Sequence, residues 1–115
     1  MYLYYNLKKY IKKCMRKYRG LDEIDYDTLK NMRDRDKNIL LIDVRSKQEF
    51  NEEHLEGSKN ISLYDFERGN FKINNKDTVI ILYCSVGKRS KRVQQILKKL
   101  GYKNVYVLQG GLENI

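Results

Sequence analysis

The stretch Val79-Ile80-Ile81-Leu82-Tyr83-Cys84-Ser85-Val86-Gly87-Lys88-Arg89-Ser90 decides how the rest of the chain is read. An unbroken apolar run ends on a cysteine. A short loop containing glycine follows, and a basic segment with helical periodicity comes next. Such a run suits a strand covered on both faces, the mark of a parallel sheet. The loop aims Cys84 at backbone N–H groups and at a helix N-terminus, and both favour negative charge. An anionic sulfur at Cys84 is therefore expected to be stabilised. A cysteine that only fills a core needs none of these features.

On either side of this stretch, short strands and helices alternate. Asp25 is placed to cap a helix running to about Arg33, with Leu29 and Met32 facing inward. Ile39-Leu40-Leu41-Ile42 reads as a second buried strand, ended by Asp43-Val44-Arg45. Ser46 and Glu49 have the spacing of a capping box at the start of a short helix. Asn60-Ile61 makes a minimal strand, and Ser62 caps a helix to about Glu67. Lys88 to Leu100 reads as a helix with Val93, Ile96, Leu97 and Leu100 as its inner stripe, and Gly101 is its stop. Asn104 to Leu108 is a last strand before the Gly110-Gly111 turn. Strands alternating with helices predict right-handed βαβ units, hence an α/β fold with an open parallel sheet flanked by helices on both faces. Ligands of such sheets bind beyond the C-terminal ends of the strands, where Asp43 and Cys84 both lie.

A chain of 115 residues is enough for one domain. We expect an accessory helix over residues 1–20 and a single domain over 21–115. The net charge is +9, and the first 20 residues hold seven basic side chains and no acid, which leaves +2 for the other 95. At about 100° per residue, Leu3, Tyr4, Leu7, Tyr10, Ile11, Cys14, Met15 and Tyr18 share one arc and the basic residues the other. This amphipathic segment suits docking on the domain, an anionic membrane surface or a protein partner. Nucleic acid is not expected, because the body lacks a basic face. No stretch reaches the roughly 18 apolar residues of a membrane span. No secretory signal is apparent. The two cysteines, Cys14 and Cys84, lie far apart in sequence and are not expected to form a disulfide framework, so a reducing cytoplasm is the expected compartment, with a peripheral membrane location open through residues 1–19.

Several of these stretches together resemble the rhodanese family. Leu41-Ile42-Asp43-Val44-Arg45, Glu49-Phe50 and His54-Leu55-Glu56-Gly57-Ser58-Lys59-Asn60-Ile61 are similar to its first signature. Tyr83 to Ser90 resembles its active-site loop. Gly101-Tyr102, Val105 and Leu108-Gln109-Gly110-Gly111 resemble its closing signature. The resemblance covers about residues 22–115. Two features depart from it. Glu56-Gly57-Ser58 stands where the family usually has Pro-Gly-Ala, which alters a turn. The position of the family's frequent Trp after Gly-Gly falls near Ile115, so the usual C-terminal helix is expected to be short or missing, with the N-terminal helix a candidate to cover that flank.

The resemblance implies sulfur transfer from a small anionic donor such as thiosulfate, a persulfide or a polysulfide to a thiol or cyanide, through a persulfide on Cys84. Ser85, Val86, Gly87, Lys88, Arg89 and Ser90 would form the substrate-binding cradle. Gly87 would supply a backbone shape that a side chain blocks, and Ser90 would begin the helix and add a hydroxyl. Asp43 and Arg45 would brace the loop, with Glu49 as the ion partner of Arg45. His54, the lone histidine, would brace a turn, and Cys14 would pack. No cofactor is expected, and no metal, since no Cys/His spacing suits zinc. Two rivals stand beside this reading. Phosphatases and arsenate reductases related to this fold place five residues between cysteine and arginine, whereas Cys84 and Arg89 are separated by four, a tighter cradle. A non-catalytic binding module or sulfur carrier would keep the fold and dock on a partner or membrane.

Overall fold

The computed structural model describes residues 22–115. The accessory helix expected over residues 1–20, Cys14 and the proposed covering of the C-terminal flank lie outside the described residues. Ten elements follow in order: β1 (Glu23–Ile24), α1 (Tyr26–Arg35), β2 (Leu40–Asp43), α2 (Lys47–Glu52), β3 (Lys59–Asn60), α3 (Leu63–Glu67), β4 (Val79–Tyr83), α4 (Lys88–Lys99), β5 (Asn104–Leu108) and a closing 3-10 turn (Leu112–Asn114). The five strands form one parallel sheet in the order β1-β5-β4-β2-β3.

Period-two alternation along β4 divides the core. Ile81 and Tyr83 join Leu29 and Met32 of α1, with Leu41, Tyr106 and Leu108, on one face. Ile80, Leu82 and Cys84 face the other way, among Phe66 of α3 and Val93 and Leu97 of α4. Ile80, Ile81 and Leu82 are all fully buried, as only a strand covered on both faces allows. The alternation that builds the core thus carries Cys84 onto the α3–α4 face at the C-terminal end of the central strand.

The helix starts follow local chemistry. Asp25 accepts from the Thr28 N–H at 2.8 Å, Ser46 and Glu49 close a reciprocal capping box, and Ser62 accepts from the Asp65 N–H. Helix α1 runs two residues beyond Arg33, to Arg35. The pairing of β3 is shifted to Lys59–Asn60, because Lys59 and Asn60 register with Ile42 and Asp43. The inner face of α4 keeps Val93, Ile96 and Leu97 of the expected stripe and loses Leu100. Ser90, Val93, Gln94 and Leu97 are buried, while Leu100 is 49% exposed. The 3.6-residue period carries the inward direction from Leu97 past Leu100, which caps the helix end instead. Gln94 replaces the missing apolar contact by donating to the carbonyls of Asp22 and Val105, both at 3.0 Å.

Candidate active site

Strand β4 delivers Cys84, and Gly87 turns the loop into α4. The Gly87 N–H donates to Cys84 Sγ at 3.0 Å. Gly87 has φ of +111° and caps α4 with no side-chain hydrogen bond. A Cβ there would meet open space, so the backbone conformation and not crowding selects glycine. The helix begins at Lys88, as the reading of Lys88 to Leu100 expects, and not at Ser90. Ser90 lies one turn in, fully buried, and its hydroxyl has no hydrogen-bond partner among the described residues. Around the loop, Val86 is 53% exposed, Lys88 is exposed, and Ser85 and Arg89 are half-buried.

Asp43 and Arg45 meet at the end of β2, next to β4. The Asp43 carboxylate accepts from Arg45 Nε at 3.1 Å and Nη2 at 2.9 Å and from the Arg45 backbone N–H at 2.9 Å. Both groups are buried, and Nη2 also donates to the Glu53 carbonyl at 2.6 Å. The Asp43 hydrogen bond, opposed by burial, raises the pKa of Arg45. The Val44 N–H donates to the Tyr83 carbonyl, tying this brace to the residue before Cys84.

Glu49 is not the ion partner of Arg45. Arg45 turns inward, and its fork is taken by Asp43 two residues back. Glu49 instead grips Arg89, accepting from Nη1 at 2.7 Å and Nη2 at 3.0 Å. It also accepts from the Ser46 N–H at 3.2 Å and from Ser85 Oγ at 3.5 Å. Arg89 Nη2 reaches Ser85 Oγ at 3.3 Å. The Arg89 hydrogen bonds, with smaller help from Ser46 and against desolvation, hold the Glu49 carboxyl down from 4.5 to about 2.

Other participants were not singled out from the sequence. Asn60 Nδ2 donates to the carbonyls of Asp43 and Arg45, at 3.0 and 2.9 Å, and fixes the brace from β3. The Tyr83 hydroxyl accepts from the Leu55 N–H at 3.0 Å and pairs with Ser58 Oγ at 2.9 Å, holding the turn after His54. A tyrosine directly before the cysteine, pointing to the opposite face, was the available signal. His54 stacks on Phe50 at 3.8 Å between ring centroids, and its Nδ1 meets the Phe50 carbonyl at 2.7 Å. After β5 the chain makes the 3-10 turn Leu112–Asn114, which is drawn under the loop. The Leu112 and Glu113 N–H groups donate to the carbonyls of Cys84 and Ser85, at 2.9 and 3.0 Å.

Among the described residues, no group of three or more His, Cys, Asp or Glu side chains is placed to hold a metal ion, and no helix is long and apolar enough to cross a membrane. Among the described residues the arrangement places one cysteine sulfur against one backbone N–H, with a half-buried Arg–Glu pair beside the loop.

Comparison with known proteins identifies the family of this fold. The chain is 35% identical over 75 residues to the thiosulfate sulfurtransferase PspE of Escherichia coli, covering 64% of this chain and 71% of that protein. It is 29% identical over 95 residues to the putative sulfur carrier protein YrkF of Bacillus subtilis, covering 83% of this chain and 51% of the relative. It spans only 25% of a probable molybdopterin-synthase adenylyltransferase of Porphyra purpurea, at 33% identity over 96 residues. Among solved structures, the human single-domain sulfurtransferase TSTD1 superposes with a TM-score of 0.73 at 19% identity, covering 83% of this chain and 95% of that one. A rhodanese-like domain protein from Staphylococcus aureus gives 0.70 at 26% identity, covering 80% and 88%. The family model of the rhodanese-like domain matches residues 25–115, from the cap of α1 through the closing turn, and the chain belongs to that family.

Proposed function

We propose that this protein is a sulfurtransferase that carries a sulfane sulfur as a persulfide on Cys84. The Cys84 thiolate attacks the outer sulfur of a donor such as thiosulfate. A sulfur–sulfur bond forms to Cys84, the bond to the sulfonate sulfur breaks, and sulfite leaves with the electron pair. An acceptor thiolate or cyanide then attacks the outer sulfur, and the Cys84 thiolate returns. The N–H groups from Ser85 to Arg89 hold the negative terminal sulfur in this reading, Lys88 draws in the anionic donor, and Asp43 and Arg45 brace the loop.

The observation that carries the proposal is the Gly87 N–H donating to Cys84 Sγ at 3.0 Å on a positive-φ turn. A backbone N–H aimed at this sulfur is the kind of donor that a bound persulfide would use. Cys84 is only 1% exposed, which favours donors with a slim sulfur-bearing end. Relatives named as thiosulfate sulfurtransferases and as a putative sulfur carrier support the same chemistry.

Intact mass after incubation with thiosulfate tests it. Wild type is expected to gain one sulfur that cyanide removes as thiocyanate, while Cys84→Ser gains none. No adduct on wild type with thiosulfate, polysulfide or glutathione persulfide would overturn the proposal.

A further inference from the structure

Arg89 closes the loop and carries the positive charge that an anionic donor would be expected to seek. Its guanidinium is already engaged: two N–H groups go to the two oxygens of Glu49, and one of these nitrogens also reaches Ser85 Oγ. Glu49 is held in turn by the capping box of α2, through the N–H and hydroxyl of Ser46. Glu49 Oε2 lies 3.5 Å from Ser85 Oγ as well. The contacts form a continuous chain from the N-terminus of α2 to both rims of the loop, Ser85 just after Cys84 and Arg89 at its far end. The span is 40 residues in sequence, so the latch exists only in the folded domain.

We propose that Glu49 is a positioning residue for sulfur transfer: its bidentate grip on Arg89 holds the Ser85–Arg89 amides in their array, and Arg89 acts on the loop and not on the donor. The inference rests on the sulfur-transfer reading of Cys84. Three physical points support it. A planar guanidinium matched to a carboxylate fixes orientation as well as distance, which an ammonium cannot do. The partner's charge cancels most of the field Arg89 could offer a donor, leaving the exposed Lys88 to attract it. The pair is also half-shielded, with side chains 37% and 33% exposed, so water competes less than at an open surface.

Glu49→Gln isolates the latch, because glutamine still serves at the third position of a capping box while the charged fork is lost. Arg89→Lys keeps the charge and removes the fork. Each variant is measured in two ways: amide hydrogen exchange of residues 84–89, and single-turnover sulfur uptake from thiosulfate over a range of concentrations. Loop exchange is expected to accelerate in both variants while β4 and β5 stay protected. The maximum uptake rate is expected to fall about tenfold or more, as misplacing catalytic groups does, with the half-saturating thiosulfate concentration changed less than about twofold. The double variant should be no slower than either single one, since each breaks the same link. A lower half-saturating concentration in Glu49→Gln at an undiminished maximum rate would overturn the proposal, because Arg89 would then be a donor receptor that Glu49 masks. So would full activity in Arg89→Lys, or loop exchange unchanged in Glu49→Gln. If wild type takes up no sulfur, the sulfur-transfer reading falls, and the exchange data still decide whether Glu49 anchors the loop.

Discussion

Replacing Gly111 by alanine tests whether the closing turn shapes the cysteine loop. A Cβ at Gly111 would lie 2.4 Å from the Cys84 carbonyl oxygen and 2.5 Å from that of Ser85, against 3.4 Å or more for ordinary contact. Both oxygens belong to the backbone, so the chain must separate by about an ångström to relieve the overlap. They also accept from the Leu112 and Glu113 N–H groups, and that separation would break both bonds. Two backbone hydrogen bonds are worth about 1–3 kcal/mol. The conformation itself, φ +64° and ψ −160°, costs a residue with a side chain a further 1–3 kcal/mol or so. Gly111→Ala should therefore lose about 2–6 kcal/mol. Gly69 provides the control, with φ of +72° and nothing within 4 Å of the point where a Cβ would lie, so Gly69→Ala should cost only about 1–2 kcal/mol. Urea unfolding of the three proteins measures the difference, and sulfur uptake at a temperature where all are folded measures the effect on the loop. Gly111→Ala is expected to be the less stable variant and slower in uptake, while Gly69→Ala keeps the wild-type rate. If the two variants were equally stable and equally active, the closing turn would not hold the loop and the reasoning would fail.

Two further outcomes follow from the charges. Asp43→Asn leaves the buried Arg45 guanidinium without its counter-charge and should destabilise the domain by about 3–5 kcal/mol in urea or thermal unfolding; a loss below about 1 kcal/mol would show that the brace is not buried in solution. The folded pKa of Glu49 is about 2 against an ordinary 4.5, so the Arg89 pair adds stability above about pH 4.5 that is lost as pH falls toward 2. Unfolding measured across that window should fall less steeply for Glu49→Gln than for wild type, and equal slopes would remove the pair from the acid dependence.

Much of this molecule is written in short-range pattern. The buried strands at Leu40–Asp43 and Val79–Tyr83, the three side-chain caps at Asp25, Ser46 and Ser62, and the glycine turn after Cys84 each depend on neighbours a few residues apart. Hydrophobic runs and capping spacings record such relations directly. The inner face of α4 was legible in part: Val93, Ile96 and Leu97 obey hydrophobicity, but Gln94 is buried where it donates to the carbonyls of Asp22 and Val105. The partner of Glu49 was not legible at all. Its position in the sequence is close to Arg45, yet Arg45 is consumed inside by Asp43 and Arg89 arrives from 40 residues away.

The sequence alone determined the α/β order, the cysteine at a strand end and the turn that lays an N–H against its sulfur, because these are local consequences of backbone sterics and side-chain spacing. The tertiary structure decided what holds that turn in shape. Glu49 reaches Arg89, the Leu112 and Glu113 amides reach the Cys84 and Ser85 carbonyls, and Asn60 reaches the Asp43–Arg45 brace only after parallel strands set their register and bring the loops to one edge of the sheet. Polar groups far apart in the chain are chosen as partners by that register and by the cost of leaving a buried donor or acceptor unpaired, and neither is visible in residue order.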